Sequence, residues 1–131
     1  MDVVRLAPNE RAETQARRFA RNWSADHALS SRTTDDMELV VAELVSNAIR
    51  HGKPPYDLEL WQTGGVIRGE VWDGSCVAPT TNPSPDEHGG YGLGIVTACT
   101  SRWGTDVVPT GKHVWFEVKD LTSGLESEPH S

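Results

Sequence analysis

Between Met37 and Ile49 the apolar residues Met37, Val40, Val41, Leu44, Val45, Ala48 and Ile49 recur at the spacing of one helical face, and Gly52 followed by Pro54 and Pro55 ends the run. A helix with so continuous an apolar side has to be covered by another layer, so the chain must pack as at least two layers. Written out from Glu38 to Gly52, the run is ELVVAELVSNAIRHG. Three polar residues interrupt it, Glu43, Asn47 and His51, each four residues from the last and therefore on nearly one side of the helix.

The rest of the chain supplies the partners for that face. MDVVRL reads as a short edge strand ended by Pro8. From Asn9, a candidate cap, a first helix is marked by Ala12, Ala16, Phe19, Ala20 and Trp23 and is expected to end near SADHALSS. Thr33, Thr34 and Asp35 are expected to precede the second helix, with Asp35, Asp36 and Glu38 near its positive end. DLELWQT and VIRGEVWD read as a hairpin turning at Gly64 and Gly65. From Gly74 to Gly90, prolines, glycines and small polar residues deny the chain regular structure. GLGIVTACTSRWG then reads as a helix closed by Gly104, and TDVVPT and KHVWFEV as a last strand pair around Gly111. The order strand, helix, helix, two strands, loop, helix, two strands fits a two-layer α/β sandwich, with helices on one face of a mixed sheet. The far face stays partly exposed, with Trp61, Trp72, Trp103 and Trp115 at its borders. Residues 122–131 read as a disordered tail, leaving 1–121 as a single domain.

Composition narrows the function. A formal charge of -7 and the absence of a basic stripe argue against direct binding to nucleic acid. Arg17, Arg18 and Arg21 read as a solvated face or a protein contact. No run is long and apolar enough to span a bilayer and no signal-peptide layout opens the chain, so a cytoplasmic location without membrane association is expected. Cys76 and Cys99 form no CxxC, which gives no support to a redox pair or a zinc site.

Three places can carry chemistry. Asn47 is bordered by Val40, Leu44 and Ala48, so its amide needs partners: it either caps a loop or offers its oxygen to a hard cation such as magnesium, with Glu43 one turn away able to accept a proton. Asp73, at the end of VIRGEVWD, either accepts a hydrogen bond from an exocyclic amino group of a base or caps its own turn. In HGGYGLGIV, glycines crowd the start of a helix, where free N–H groups and the dipole favour phosphate; a hinge is the competing explanation. The segment lacks the Lys-Ser or Lys-Thr of a Walker loop. Together these are the parts of a magnesium nucleotide site.

At these residues the sequence resembles the GHKL, or Bergerat-fold, ATPases, and within them the anti-sigma regulatory factor serine/threonine kinases. ELVSNAIRHG resembles their N-box, VWDGS their first glycine box and GGYGLGIV their second, over about residues 5 to 119. The resemblance implies a mostly antiparallel sheet and an ATP and Mg2+ cofactor set, with Glu43 as catalytic base and Asn47 as magnesium ligand. It further implies that His51 ends the helix beside the nucleotide, that Asp73 reads the adenine amine, that Gly90, Gly92 and Gly94 lie near the triphosphate, and that Tyr91 and Leu93 belong to the same nucleotide-binding segment, with Leu93 and Ile95 helping to anchor the helix. The segment near Lys112 would face the nucleotide side. The implied activity is ATP-dependent phosphorylation of an anti-sigma factor antagonist, with a sigma factor as a further partner and a homodimer as a form common in the family. Two features depart from the pattern: Ser75 and Val77 stand where the first box usually has glycines, and the stretch from Val77 to Gly89 is short for a lid and lacks a basic residue. They favour the alternative of a non-catalytic partner-switching protein with weak or structural nucleotide binding.

Overall fold

The computed structural model describes residues 1–76 and 93–120. In chain order they form β1 (Asp2–Leu6), α1 (Arg11–Asp26), α2 (Ser31–His51), β2 (Tyr56–Thr63), β3 (Val66–Asp73), α3 (Leu93–Cys99), β4 (Arg102–Val108) and β5 (Gly111–Lys119). The strands make one sheet in the order β1-β2-β3-β5-β4. Every described ladder is antiparallel, the limiting case of the mostly antiparallel sheet that the resemblance implied. The loop before α3 and the tail fall largely or wholly outside the described residues.

Alternation decides which face of the sheet is covered. In β2, Tyr56, Leu58 and Leu60 are buried while Asp57, Glu59 and Trp61 between them are not. Ile67 and Val71 of β3 and Phe116 and Val118 of β5 join the same side. Against them pack Met37, Val40, Val41, Leu44 and Val45 of α2 and the Ala12, Ala16, Ala20 stripe of α1, whose small side chains allow close approach. Complete burial of one such side chain as Leu58 or Ile67 contributes roughly 1.5–3 kcal/mol. This is the expected two-layer α/β sandwich, with the helices on one face of the sheet.

The opposite face is polar and aromatic. Arg68 lies over the rings of Trp115 and Trp61, at 4.5 and 5.9 Å, and pairs with Glu70 and Glu117. Trp103 is an exception to the expected border position. It pairs with Phe116 in register, packs against the core and donates its indole N–H to Thr97 of α3 at 3.0 Å, on the helix side.

Two element boundaries differ from the sequence reading. Helix α2 begins at Ser31, because the Ser30 hydroxyl accepts the Thr33 N–H at 3.1 Å and caps the helix earlier than the threonines. Helix α3 ends at Cys99, well short of Gly104. The Thr100 hydroxyl bonds back to Val96 O at 2.7 Å, and Ser101 N–H donates to Glu117 O at 2.8 Å, drawing the chain into β4. Gly104 therefore lies within a strand, where a Cβ would come within 2.7 Å of the Trp115 ring.

Candidate functional site

The alternation that buries Ile67 and Val71 carries Asp73 onto the helix side at the end of β3. The same parity in β5, counted back from Val118 and Phe116, brings Lys112 there, and the register sets Lys112 directly opposite Asp73. Lys112 Nζ lies 2.7 Å from Asp73 Oδ2, and each residue is only 5% exposed. The other carboxylate oxygen, Oδ1, accepts the Ser75 N–H at 2.7 Å. Asp73 thus caps its own turn, one of its two expected roles, and is also half of a buried ion pair.

The end of α2 closes on this carboxylate. At Gly52, φ is an ordinary -107°, but a Cβ would sit 2.5 Å from Asp73 Cγ. Glycine is needed there for close approach as well as for stopping the helix. Gly111 meets the same strand end, where a Cβ would come within 2.3 Å of Asp73 O. Gly74 N–H donates to Lys53 O at 2.7 Å, tying the strand end to the turn after α2. Helix, turn and two strands therefore converge on one polar point.

Along α2, Glu43 and Asn47 are half-buried and His51 is exposed. Arg50 donates to Asn47 Oδ1 at 2.9 Å. Desolvation, then the charges of Arg50 and Lys112, hold the His51 pKa below its ordinary 6.5. Lys112 is thus close enough for its charge to be felt at the helix end. Burial, and then the Asp73 carboxylate, push Tyr56 above its usual range.

Helix α3 leans on α2. Val96 is fully buried. The Cys99 thiol is pushed up first by burial and then by Asp36 of α2. Leu93 and Gly94 open this seven-residue helix. Gly94 is exposed, and no described heavy atom lies within 4 Å of where its Cβ would be. Gly90, Tyr91 and Gly92 lie outside the described residues.

Among the described residues no group of three or more His, Cys, Asp or Glu is placed to hold a metal ion by itself. The donors of α2 fit a cation that arrives with a phosphate. Asn47 brings an amide oxygen and Glu43, one turn away, a carboxylate, and magnesium takes oxygen ligands of this kind while keeping several waters. Lys112, which the sequence placed only by segment, and Arg50, which it did not single out, are the additions. Strand parity counted back from Phe116 is the signal that would have pointed Lys112 inward.

Two helical segments packed on one face of an antiparallel sheet form a fold that this chain shares with histidine kinase domains. Residues 6–118 match the histidine kinase-like ATPase domain model, and the chain belongs to that family. Among solved structures it is similar to the RsbU and RsbW domains of Rv1364c from Mycobacterium tuberculosis, with 19% identity and a TM-score of 0.70 over 90% of this chain and 31% of that one. It is also similar to the histidine kinase domain of the Erythrobacter litoralis EL346 blue-light activated histidine kinase, with 16% identity and a TM-score of 0.56 over 88% of this chain and 64% of that one. A third is the Acinetobacter baumannii histidine kinase AdeS, with 13% identity and a TM-score of 0.56 over 92% and 68%. At these identities the likeness is one of fold, and the chain spans about a third of the first structure. No curated protein matches it in sequence.

Proposed function

We propose that the protein is an ATP-binding anti-sigma regulatory factor that phosphorylates an anti-sigma factor antagonist on serine or threonine. The observation that carries this reading is the meeting of α2 with β3, where Gly52 lies against the Asp73 carboxylate on the same helix that bears Glu43 and Asn47. In this reading Asp73 accepts the exocyclic amine of the base and Asn47 holds a phosphate-bound magnesium ion, while Glu43 accepts the proton of the incoming hydroxyl. When bound, magnesium supplies charge neutralisation at the phosphates. Membership of the histidine kinase-like ATPase family and the fold likeness to a structure containing an RsbW domain support it.

Calorimetry with Mg-ATP tests the site. Saturable binding by the wild type, lost in Asn47→Ala, is expected; no binding up to millimolar ATP overturns the reading. Glu43→Gln separates the two roles: it is expected to bind ATP but to lose phosphate transfer to the antagonist by at least about a hundredfold.

The same site offers one observation in favour of a non-catalytic partner-switching protein. Both Asp73 oxygens already have partners, Ser75 N–H and Lys112. Antagonist captured by the wild type and by Glu43→Gln with equal affinity, and phosphorylated by neither, would select that alternative.

A further inference from the structure

We infer that Lys112 is a second reader of the base, donating a hydrogen bond to the ring N1 of adenine while Asp73 accepts from the 6-amine, so that the pair selects adenine nucleotides over those of guanine and hypoxanthine. The inference rests on the proposed nucleotide site at Asp73 and deepens it. An ionised carboxylate only accepts hydrogen bonds, so it reads the amine and leaves the neighbouring ring nitrogen unread. An ammonium only donates, and the ring N1 of adenine only accepts.

The two groups stand side by side. Lys112 lies directly opposite Asp73 in register and on the same face of the sheet, with its Nζ 2.7 Å from Asp73 Oδ2. Each carboxylate oxygen has two lone pairs, so the bonds from Ser75 N–H and Lys112 leave acceptor capacity for an incoming amine. Of the three N–H donors of the ammonium, one is committed to Asp73, and among the described residues none takes the other two. An acceptor beside a donor matches the edge of adenine, whose amine donates and whose N1 accepts. A 6-oxopurine held in the same pose reverses that order: O6 meets the carboxylate and the ring N1–H meets the ammonium. Like groups then oppose each other at both contacts out of water, and sites of that kind reject the mismatched ligand strongly.

The packing prevents a rearrangement that would suit the other bases. Both side chains are almost fully buried, so turning Lys112 out to solvent would strand the Asp73 carboxylate. Ser75 N–H fixes the second oxygen, and Gly111 holds the β5 backbone against Asp73. The ammonium is a built part of the strand pair, in contrast to the guanidinium groups of Arg5 and Arg102, which are mostly exposed.

The test is calorimetric titration of the full chain, wild type and Lys112→Met, with the magnesium complexes of three nucleotides: ATP, ITP, and 1-deaza-ATP, which keeps the amine but has C–H in place of ring N1. The wild type is expected to bind 1-deaza-ATP at least about tenfold more weakly than ATP, and ITP at least about a hundredfold more weakly. In Lys112→Met the gap between ATP and 1-deaza-ATP is expected to close to within about threefold, through loss of ATP affinity. Because each ratio is taken within one variant, a change in stability common to all ligands cancels. Lys112→Arg keeps a donor beside the carboxylate and is expected to keep most of the gap; that variant and the wild-type ratio decide the matter if Lys112→Met does not fold. ATP and 1-deaza-ATP bound equally by the wild type overturns the inference while leaving the nucleotide site intact, and so does a gap that is unchanged in Lys112→Met. ATP bound more tightly by Lys112→Met than by the wild type overturns it too, since the ammonium would then be an obstacle to the base. ITP bound by the wild type within about tenfold of ATP has the same consequence. No binding of ATP by the wild type overturns both the inference and the site.

Discussion

At the scale of single residues, the site is governed by a carboxylate and an ammonium that are stable in the interior only as a pair. Removing one leaves the other charged and uncompensated, a loss of roughly 3–5 kcal/mol, whereas replacing both by groups of similar volume costs far less. Asp73→Asn is therefore expected to lower stability by about 3 kcal/mol, and Asp73→Asn with Lys112→Met to recover most of it, as read from denaturant midpoints. His51 reports the same neighbourhood through pH. Desolvation and the nearby cations lower its folded pKa below 6.5, so on acidification the unfolded chain takes up the proton first. Its contribution to stability is whole above about 6.5 and is lost as pH falls through the depressed folded value. An NMR titration is expected to give a midpoint below 6.5, and a midpoint at or above it would contradict the packing around the helix end. Asp73, Asn47 and Glu43 were each legible from sequence, because residue type and local spacing announce them. Lys112 was placed only by its segment: strand parity could have given its face, but its pairing with Asp73 depends on the register of β5 against a strand far away in the chain.

At the scale of elements, α2 is both the main wall of the core and the carrier of the site. Its apolar stripe was readable residue by residue, as was the hairpin of β2 and β3, because helical and strand periods are local properties of the chain. Its end is more constrained than the sequence suggested. Gly52 sits where any Cβ would press on Asp73, so Gly52→Ala must push helix and strand apart. A loss of roughly 1–3 kcal/mol is expected, together with weakened nucleotide binding, although no donor or charge is removed. Binding that survives this substitution unchanged would separate α2 from the site. The junction of α3 and β4 was not readable, because Gly104 looks like a helix stop and is instead the residue that leaves room for the Trp115 ring. The start of α2 was misplaced for a related reason: Ser30 and Thr33 are both good caps, and only the observed bond from Thr33 N–H to Ser30 chooses between them.

At the scale of the whole molecule, the core is held together by contacts between strands that are distant in sequence. Phe116 of β5 is fully buried and lies across Gly69 of β3, where a Cβ would come within 2.3 Å of its ring. Phe116→Ala is expected to cost about 3–5 kcal/mol and to lower the denaturant midpoint without changing the slope, as befits a core that unfolds as one unit. The order β1-β2-β3-β5-β4 places β5 between β3 and β4, although β4 comes first in the chain. By itself the sequence determined the central stretch of α1 and α2, the β2–β3 hairpin and the apolar face of each, since these follow from periods of two and 3.6 residues. Only the tertiary structure decided that β5 pairs with β3, and hence that Lys112 faces Asp73. Strand register is set by matching apolar faces across a sheet between segments far apart in the chain, and a shift of one residue would have turned Lys112 to the other face.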